Sequence, residues 1–306
     1  MRRRQFLLGL SATLLAARAG LSLSTPSDVS TEMLPLWPGI PPGGGGPTGP
    51  LQLSVHGAQR HIAVPFLTIV TPVKSNGHGV LVAPGGGYTR IEIAKEGWSA
   101  ARWLVARGYT AYILSYRLPG EGWHDGSRVA LQDALRALRI IRQREKRVSV
   151  LGFSAGGHLL GMAVTRADER SYTPLDALDS LPARADGAAL IYPIVTLEKP
   201  YSHSSTHRVL VGKNATQAQD AAWSVQHYVT PTTPPMFLVQ AEDDSVSDPH
   251  NTLILQTACL RAGVSVEMHR YPSGGHGFGM GRAGTQTLAW PEQLILTLHL
   301  RTAFVS

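Results

Sequence analysis

The sequence predicts an α/β fold in which helices cover both faces of a mostly parallel central sheet. Three observations support this prediction. Short apolar runs rich in Val, Ile, Leu and Tyr alternate with longer stretches that carry apolar residues at i, i+3 and i+4. The alternation continues from residue 61 toward the end of the chain without an internal repeat. No Pro- or Gly-rich linker interrupts it, so we expect one domain.

The predicted elements follow from these two periodicities. Runs bounded by turn residues are predicted as strands: IAVPFLTIV (62–70), GVLVAP (79–84), TAYILSYR (110–117), VSVLGF (148–153), GAALIYP (187–193), PMFLVQ (235–240) and VSVEMHRY (264–271). Stretches with helical spacing are predicted as helices: 95–108, 130–143, 155–167, 252–263 and 291–304. In open sheets of this kind ligands bind beyond the carboxyl ends of the strands. The residues after each strand are therefore the first candidates for a site.

The N-terminal stretch MRRRQFLLGLSATLLAARAG is typical of an export signal. Three arginines precede a short apolar stretch and a small-x-small cleavage pattern, which predicts a signal peptide over residues 1–19. RRQFL resembles a twin-arginine motif, so we expect an exported protein, periplasmic or secreted. Residues 20–60 are expected to form a Pro/Gly-rich lead-in, irregular over residues 20–50, and 61–306 the folded domain. The alternative for 1–19 is a basic amphipathic helix.

Composition excludes several other classes of protein. The net charge is +7, but four of the 28 basic residues and none of the 21 acidic ones lie in 1–19, which leaves +3 for the rest. We therefore expect no nucleic-acid partner. Beyond the N-terminus no apolar run reaches the length of a membrane span, so stable membrane insertion is not expected. The single cysteine, Cys259, allows no intrachain disulfide.

The stretch GFSAG (152–156) matches the pattern G-x-S-x-G directly between a predicted strand and a predicted helix. In this setting the serine occupies a sharp, strained turn that exposes its hydroxyl above the sheet. Glycines flank it because side chains there would collide with the neighbouring strand and helix. The pattern predicts Ser154 as a nucleophile. The alternative is a tight turn without chemistry.

The glycines Gly85–Gly87 follow the strand GVLVAP and expose backbone N–H groups without side-chain obstruction. An enzyme that transfers an acyl group needs such donors to hold an oxyanion. We expect the donors to be the amides of Gly86, Gly87 and Ala155, the last of which follows the candidate nucleophile. A flexible loop without chemistry is the alternative.

Two later strands are followed by a candidate acid and a candidate base. Asp243 and Asp244 lie at the end of PMFLVQ, and either carboxylate could orient a histidine and stabilise its cation. His276 lies between glycines in the loop after the last strand, which suits a base that reaches over to a serine. The order Ser, Asp, His along the chain is that of α/β-hydrolases. No cluster has metal-ligand spacing, so neither a metal nor a cofactor is predicted.

Over most of its length the sequence resembles the bacterial acetyl esterases of the α/β-hydrolase superfamily that are described as xylan-esterase-like or BD-FAE-like. The matching stretches are LPLWPG (34–39), APGGGYTRI (83–91), KEGWSAARWLVARGYTAYILSYRL (95–118), VLGFSAGGHL (150–159), PPMFLVQAEDDSV (234–246) and HRYPSGGHGFG (269–279). The resemblance implies Ser154 as nucleophile and His276 as base. It favours Asp244 over Asp243, because the family's acid directly precedes the pair seen here as Ser245-Val246.

The sequence departs from its relatives at two places. Pro84 stands where related lipases often carry a histidine, which leaves the amide donors of the following glycines unchanged. The stretch SVSDPHN (245–251) lacks the V-x-P pattern common after the acid, which affects the placement of that loop. Residues 195–232 lie between two predicted strands and are expected to form one wall of the substrate pocket.

The resemblance implies a serine esterase that acts on acetyl or other short acyl esters. Its substrate would be a small-molecule or oligosaccharide ester, such as O-acetyl groups on xylan fragments. Two alternatives stay open at this point. One is another serine hydrolase on the same fold, such as a peptidase or a lactonase; the other is a non-catalytic binding protein with a hydrolase fold.

Overall fold

The computed structural model describes residues 29–295. The predicted signal peptide and the first part of the predicted lead-in lie outside these residues. The predicted helix over 291–304 is described as far as residue 295, and residues 290–295 are helical. The fold outlined below is therefore that of residues 29–295.

An eight-stranded sheet forms the centre of the fold, with the strand order β1-β4-β6-β5-β7-β8-β9-β10. The strands are β1 (Ser30–Pro35), β2 (Gln52–Leu53), β3 (Gln59–Arg60), β4 (Phe66–Thr71), β5 (His78–Ala83), β6 (Thr110–Ser115), β7 (Arg147–Phe153), β8 (Gly187–Ile191), β9 (Met236–Ala241) and β10 (Val266–Tyr271). β2 and β3 pair separately as a short ribbon. From β6 to β10 all neighbouring strands are parallel, while β4 runs antiparallel to both β1 and β6.

Helices connect the parallel strands and cover the sheet. They are α1 (Ser99–Val105), α2 (Arg128–Arg144), α3 (Ala155–Thr165), α4 (Ser205–Leu210), α5 (Gln217–Ala222) and α6 (His250–Arg261). α3 packs on β7 and β8, and α2 packs on α3. The fold class predicted from the alternating pattern is therefore confirmed. In the described part of the chain, none of the helices combines the length and the apolar character needed to cross a membrane.

The segment before α1 differs from a regular helix. The prediction placed one helix over 95–108, whereas the structure has a π-helical turn at Ile93–Trp98 that leads into the shorter α1. A π-helical turn holds one more residue than an α-helical turn of the same height, so it rotates the side chains before α1 relative to those within it. Glu96 lies in this turn and is buried.

The prediction that residues 20–50 are irregular is wrong at β1. Residues Ser30–Pro35 form an edge strand that pairs with all of β4, from Ser30 opposite Thr71 to Pro35 opposite Phe66. The side chains of β1 are mostly exposed, so the strand has none of the apolar alternation that identifies a half-buried strand. Backbone hydrogen bonds to β4 hold it, and the sheet thus begins before residue 61.

A buried ion pair ties the segment after β1 to the centre of the fold. The Arg117 guanidinium contacts both carboxylate oxygens of Asp133 on α2 at 2.9–3.1 Å, and both side chains are fully buried. Trp37 Nε1 donates to Asp133 Oδ1 at 2.8 Å. Trp37 belongs to LPLWPG and Arg117 to the end of the stretch 95–118. Two of the stretches that carried the family resemblance therefore meet at one carboxylate.

Candidate active site

Ser154 lies in the tight turn between β7 and α3. Its backbone has φ +52° and ψ −118°, a conformation that is strained for any residue with a side chain. A Cβ at Gly152 would lie 2.6 Å from the Gly156 carbonyl oxygen, and one at Gly156 would lie 2.1 Å from the Ala83 carbonyl oxygen. The flanking glycines thus allow the close approach of strand and helix that holds the serine in its strained turn, as the sequence predicted.

The structure brings the candidate nucleophile, base and acid together. Ser154 Oγ lies 2.8 Å from His276 Nε2, which is hydrogen-bond distance for a hydroxyl that donates to the imidazole. On the other side of the ring, His276 Nδ1 lies 2.8 Å from Asp244 Oδ2 and 3.1 Å from Oδ1. These contacts join the ends of β7, β9 and β10 across the top of the sheet.

The two neighbouring aspartates have different roles in the structure. The Asp244 side chain is fully buried, and its Oδ1 also accepts from the backbone N–H groups of Val246 and Ser247 at 2.9 Å. Asp243 instead accepts from the Gly275 N–H at 2.7 Å. This N–H holds the pKa of the Asp243 carboxyl below its usual range. Asp244 contacts His276, while Asp243 fastens the loop that carries it.

A cleft of about 310 Å³ opens beside Ser154 and His276, and Gly86 and Gly87 line it. Both glycines have positive φ, +128° and +63°. In the described part of the chain neither of their amides donates a hydrogen bond to the protein, which leaves both free for a ligand. Ala155 is fully buried and does not line the cleft. Its N–H lies in the first turn of α3, where helix donors have no partner within the helix.

The segment 195–232 contributes one wall of this cleft, as predicted. Ser204, Ser205 and Thr206 line it at the start of α4. The wall is in tight contact with the glycine loop, since a Cβ at Gly87 would lie 2.0 Å from Ser205 Oγ. Three charged residues also line the cleft, Arg90, Glu92 and Lys95. The site is thus a small cleft with polar and charged side chains in its lining.

Sequence reasoning missed a buried pair at the site, Glu96 and Tyr192. Glu96 is 3% exposed and lines the cleft, and its two carboxylate oxygens accept from the Gly85 N–H at 2.6 Å and the Tyr192 hydroxyl at 2.8 Å. Burial raises the pKa of Glu96, against the opposing effect of these two donors. A signal was present, because Glu96 lies four residues before Ala100, on the apolar side of the predicted helix.

Comparison with known proteins places the chain in a family. Residues 80–280 match the family model of the α/β-hydrolase fold, and the chain belongs to this family. The xylanase B of Butyrivibrio fibrisolvens is 33% identical over 206 residues, which are 65% of this chain and 32% of that protein. An acetylxylan esterase of Xylanibacter ruminicola is 29% identical over 221 residues, 69% of this chain and 43% of that protein. The chain thus spans less than half the length of either curated relative.

Among solved structures, an acetyl ester-xyloside bifunctional hydrolase from Caldicellulosiruptor lactoaceticus is similar at a TM-score of 0.74 and 30% identity. The match covers 90% of this chain and 97% of that one. The resemblance to xylan-esterase-like hydrolases drawn from the motifs is confirmed by these relatives. They also support the expected enzyme class, a carboxylic ester hydrolase. Among residues 29–295, no group of three or more His, Cys, Asp or Glu side chains is arranged to hold a metal ion.

Proposed function

We propose that this protein is a serine esterase that removes acetyl or other short acyl groups, among them O-acetyl groups on xylan-type oligosaccharides. The observation that carries the proposal is the contact from Ser154 Oγ through His276 to the buried Asp244, at 2.8 Å on each side of the imidazole. A nucleophile, a base within hydrogen-bond reach and a group that orients the base are the parts that covalent acyl transfer requires.

In the first half of the proposed reaction, Ser154 Oγ attacks the ester carbonyl while His276 Nε2 takes its proton. Asp244 accepts from Nδ1–H, fixes the ring tautomer and stabilises the imidazolium that forms. The carbonyl oxygen becomes an oxyanion and turns toward the amides of Gly86, Gly87 and Ala155. One such donor contributes about 3–4 kcal/mol of transition-state stabilisation in comparable sites.

In the second half, the imidazolium returns its proton to the departing alcohol and leaves an acyl group on Ser154. Water then enters the cleft, gives a proton to His276 and attacks the acyl carbonyl. The same oxyanion donors act again, and Ser154 recovers its hydrogen as the acid departs. The proton transfers in both halves use Ser154 Oγ and His276 Nε2, which lie 2.8 Å apart, with Asp244 at the other ring nitrogen.

The shape of the cleft supports a short acyl group on a polar alcohol. Its volume of about 310 Å³ lies at the lower end of the range for ligand pockets. Ser205, packed against Gly87, limits the room beside the glycine loop. The hydroxyl and charged groups that line the cleft offer hydrogen-bond partners to a sugar. The acetylxylan esterase and the acetyl ester-xyloside hydrolase among the similar proteins point to the same class of substrate.

Acetate release from acetylated xylo-oligosaccharides tests the proposal, with p-nitrophenyl acetate as a generic ester. Ser154→Ala should abolish both activities, and Ser180→Ala, at an exposed serine outside the cleft, should leave both unchanged. Activity on the generic ester alone would keep the esterase and remove xylan as substrate. Inactivity of the folded wild type on both, with no labelling of Ser154 by a fluorophosphonate, would favour a binding protein.

We also propose that the protein is exported, on the strength of the stretch MRRRQFLLGLSATLLAARAG. Cell fractionation of a bacterial host that expresses the full chain tests this. The wild type should be found outside the cytoplasm, and replacement of Arg3 and Arg4 by Lys should retain it inside. Cytoplasmic retention of the wild type would overturn the proposal.

A further inference from the structure

The site holds a second buried carboxylate, which the proposed reaction does not use. Glu96 binds the Gly85 N–H through one oxygen and the Tyr192 hydroxyl through the other. Gly85 begins the loop that carries the candidate oxyanion donors. The same Tyr192 oxygen accepts from the Gly279 N–H at 2.9 Å, and Gly279 lies in the loop that carries His276. One carboxylate is thus connected to both loops.

Tyr192 also contacts the base directly. Its ring meets the His276 ring edge to face, with centroids 5.0 Å apart and an interplanar angle of 63°. Tyr192 is fully buried and has a positive φ of +39°, an unfavourable backbone conformation for a tyrosine. A buried hydroxyl needs partners, and Glu96 and Gly279 supply one acceptor and one donor. The tyrosine is therefore fixed in position beside the imidazole.

We propose that Glu96 and Tyr192 are positioning residues. They fasten the glycine loop, Gly85–Gly87, to the histidine loop, which carries His276 and Gly279. The oxyanion donors and the imidazole thereby keep a fixed geometry about Ser154. The proposal rests on the proposed esterase function. Two donors, and no acceptor, face the Glu96 carboxylate oxygens through these bonds, an arrangement that suits the ionised form. Glu96 interacts electrostatically with His276, so its negative charge stabilises the imidazolium that forms during the reaction.

Several other titratable groups surround this link. Tyr116, Tyr192, His276 and Glu92 interact electrostatically with Glu96. His276 is flanked by Asp244 at Nδ1, and a Cβ at Gly277 would lie 3.4 Å from the Lys95 ammonium. A substitution at Glu96 alone leaves all of these groups in place. A change in the pH profile can then be assigned to the loss of the Glu96 charge.

The experiment compares Glu96→Gln, Glu96→Asp and Tyr192→Phe in kcat, KM and the pH dependence of kcat/KM. Glu96→Gln should lower kcat about 10-fold with little change in KM, and it should move the acid limb to lower pH by about one unit. Glu96→Asp retains the charge, but its side chain is too short to accept from both the Gly85 N–H and the Tyr192 hydroxyl. We therefore expect kcat to fall while the acid limb of kcat/KM stays at the same pH. Tyr192→Phe should lower kcat as well, because it releases the histidine loop.

Asp179→Asn is the matched control, because Asp179 is a buried carboxylate paired with Arg136 away from this site. It should lower the melting temperature without moving the acid limb. Unchanged kcat and an unchanged limb in both Glu96→Gln and Tyr192→Phe would overturn the proposal. A wild type that hydrolyses no ester would instead overturn the proposed function. The link is then still tested by amide exchange at Gly279, which Tyr192→Phe must accelerate if the proposal holds.

Discussion

Asp133 and Asp244 are both fully buried at the side chain and accept several hydrogen bonds, but their partners differ in kind. The partner of Asp133 is Arg117, a permanent cation that is itself fully buried. The partner of Asp244 is His276, an imidazole that remains 20% exposed at the cleft. Imidazoles gain and lose protons near neutral pH, whereas a guanidinium does not. A buried acid beside a fixed charge thus holds a fold together, while one beside an imidazole can support proton transfer.

The largest expected effect lies on the Asp244 side of this comparison. Asp244→Asn keeps the shape of the side chain but removes the charge and favours the wrong imidazole tautomer. We expect kcat on p-nitrophenyl acetate to fall about 10⁴-fold, as for the equivalent change in other serine enzymes. Circular dichroism should show a retained fold.

Asp243→Asn is the matched control for this prediction. It changes the adjacent, exposed carboxylate, which accepts from the Gly275 N–H, whereas His276 Nδ1 donates to Asp244. We expect a loss of less than about 10-fold in kcat from the loosened loop. Equal losses in the two variants would show that the imidazole is not oriented by Asp244 alone.

Loss of the ion pair between Arg117 and Asp133 should change the stability of the fold and leave the activity nearly unchanged. Arg117→Met leaves the Asp133 carboxylate buried without its cation, so the free energy of unfolding should fall by about 3–5 kcal/mol. Urea denaturation measures it, and kcat per folded molecule should stay within about twofold of the wild type. The control is Arg144→Met, which removes the exposed ion pair with Glu32 and should cost less than about 1 kcal/mol. Similar losses of unfolding free energy in the two variants would contradict a larger structural role for the buried ion pair.

A third buried polar group, His158, predicts how stability depends on pH. Burial lowers the pKa of His158 from 6.5 to about 4, and the neutral ring donates from Nε2 to the Trp223 carbonyl and accepts at Nδ1 from the Tyr88 hydroxyl. Below pH 6.5 the unfolded chain binds this proton and the folded chain does not, so stability is lost as pH falls toward 4. At pH 4 this difference in pKa lowers the free energy of unfolding by about 3 kcal/mol.

Urea unfolding at several pH values between 7.5 and 4 measures this loss. His158→Gln retains an amide that can donate and accept, but it has no proton to gain over this range. The stability of the variant should therefore fall less steeply than that of the wild type. An identical slope for the two proteins would assign the acid sensitivity to other groups, such as the buried His78.

The smallest expected effect concerns Trp37, which donates a hydrogen bond to the buried pair of Arg117 and Asp133. Trp37→Phe removes the N–H that donates to Asp133 Oδ1 but leaves the ion pair intact. We expect a loss of about 2 kcal/mol in the free energy of unfolding, the usual range for a hydrogen bond to a charged group. Trp103→Phe is the control, at a half-buried ring that lies under Arg107. A larger loss at Trp103 would show that the bond to Asp133 contributes little.

Much of the fold was predictable because the strands of a parallel sheet are buried on both faces. β5 to β9 are continuous apolar runs bounded by turn residues, and this pattern can be read without a structure. β1 was not predictable in this way. Its exposed side chains carry no periodic pattern, and only its backbone pairing with β4 defines it.

The candidate site likewise contains residues that the sequence predicts and residues that it does not. Ser154, His276 and the glycine loop follow strands and have local signals in the chain. The choice between Asp243 and Asp244 depended on the family resemblance, since the two are adjacent and only the geometry of the turn decides which faces the imidazole. Glu96 and Tyr192 act through partners that are distant in sequence, 96 residues apart in the case of their own bond. No local pattern encodes such a contact.

The strand order also bears on solubility. β10 is the last strand of the sheet, so one side of its backbone has no strand partner among the described residues. Such an edge can recruit a strand from another molecule and begin aggregation. Here Glu267 pairs with His269, and Arg270 pairs with Glu242, which places charge along the strand. A second molecule that paired there would have to bury these charges, and this opposes assembly of the sheets into fibres.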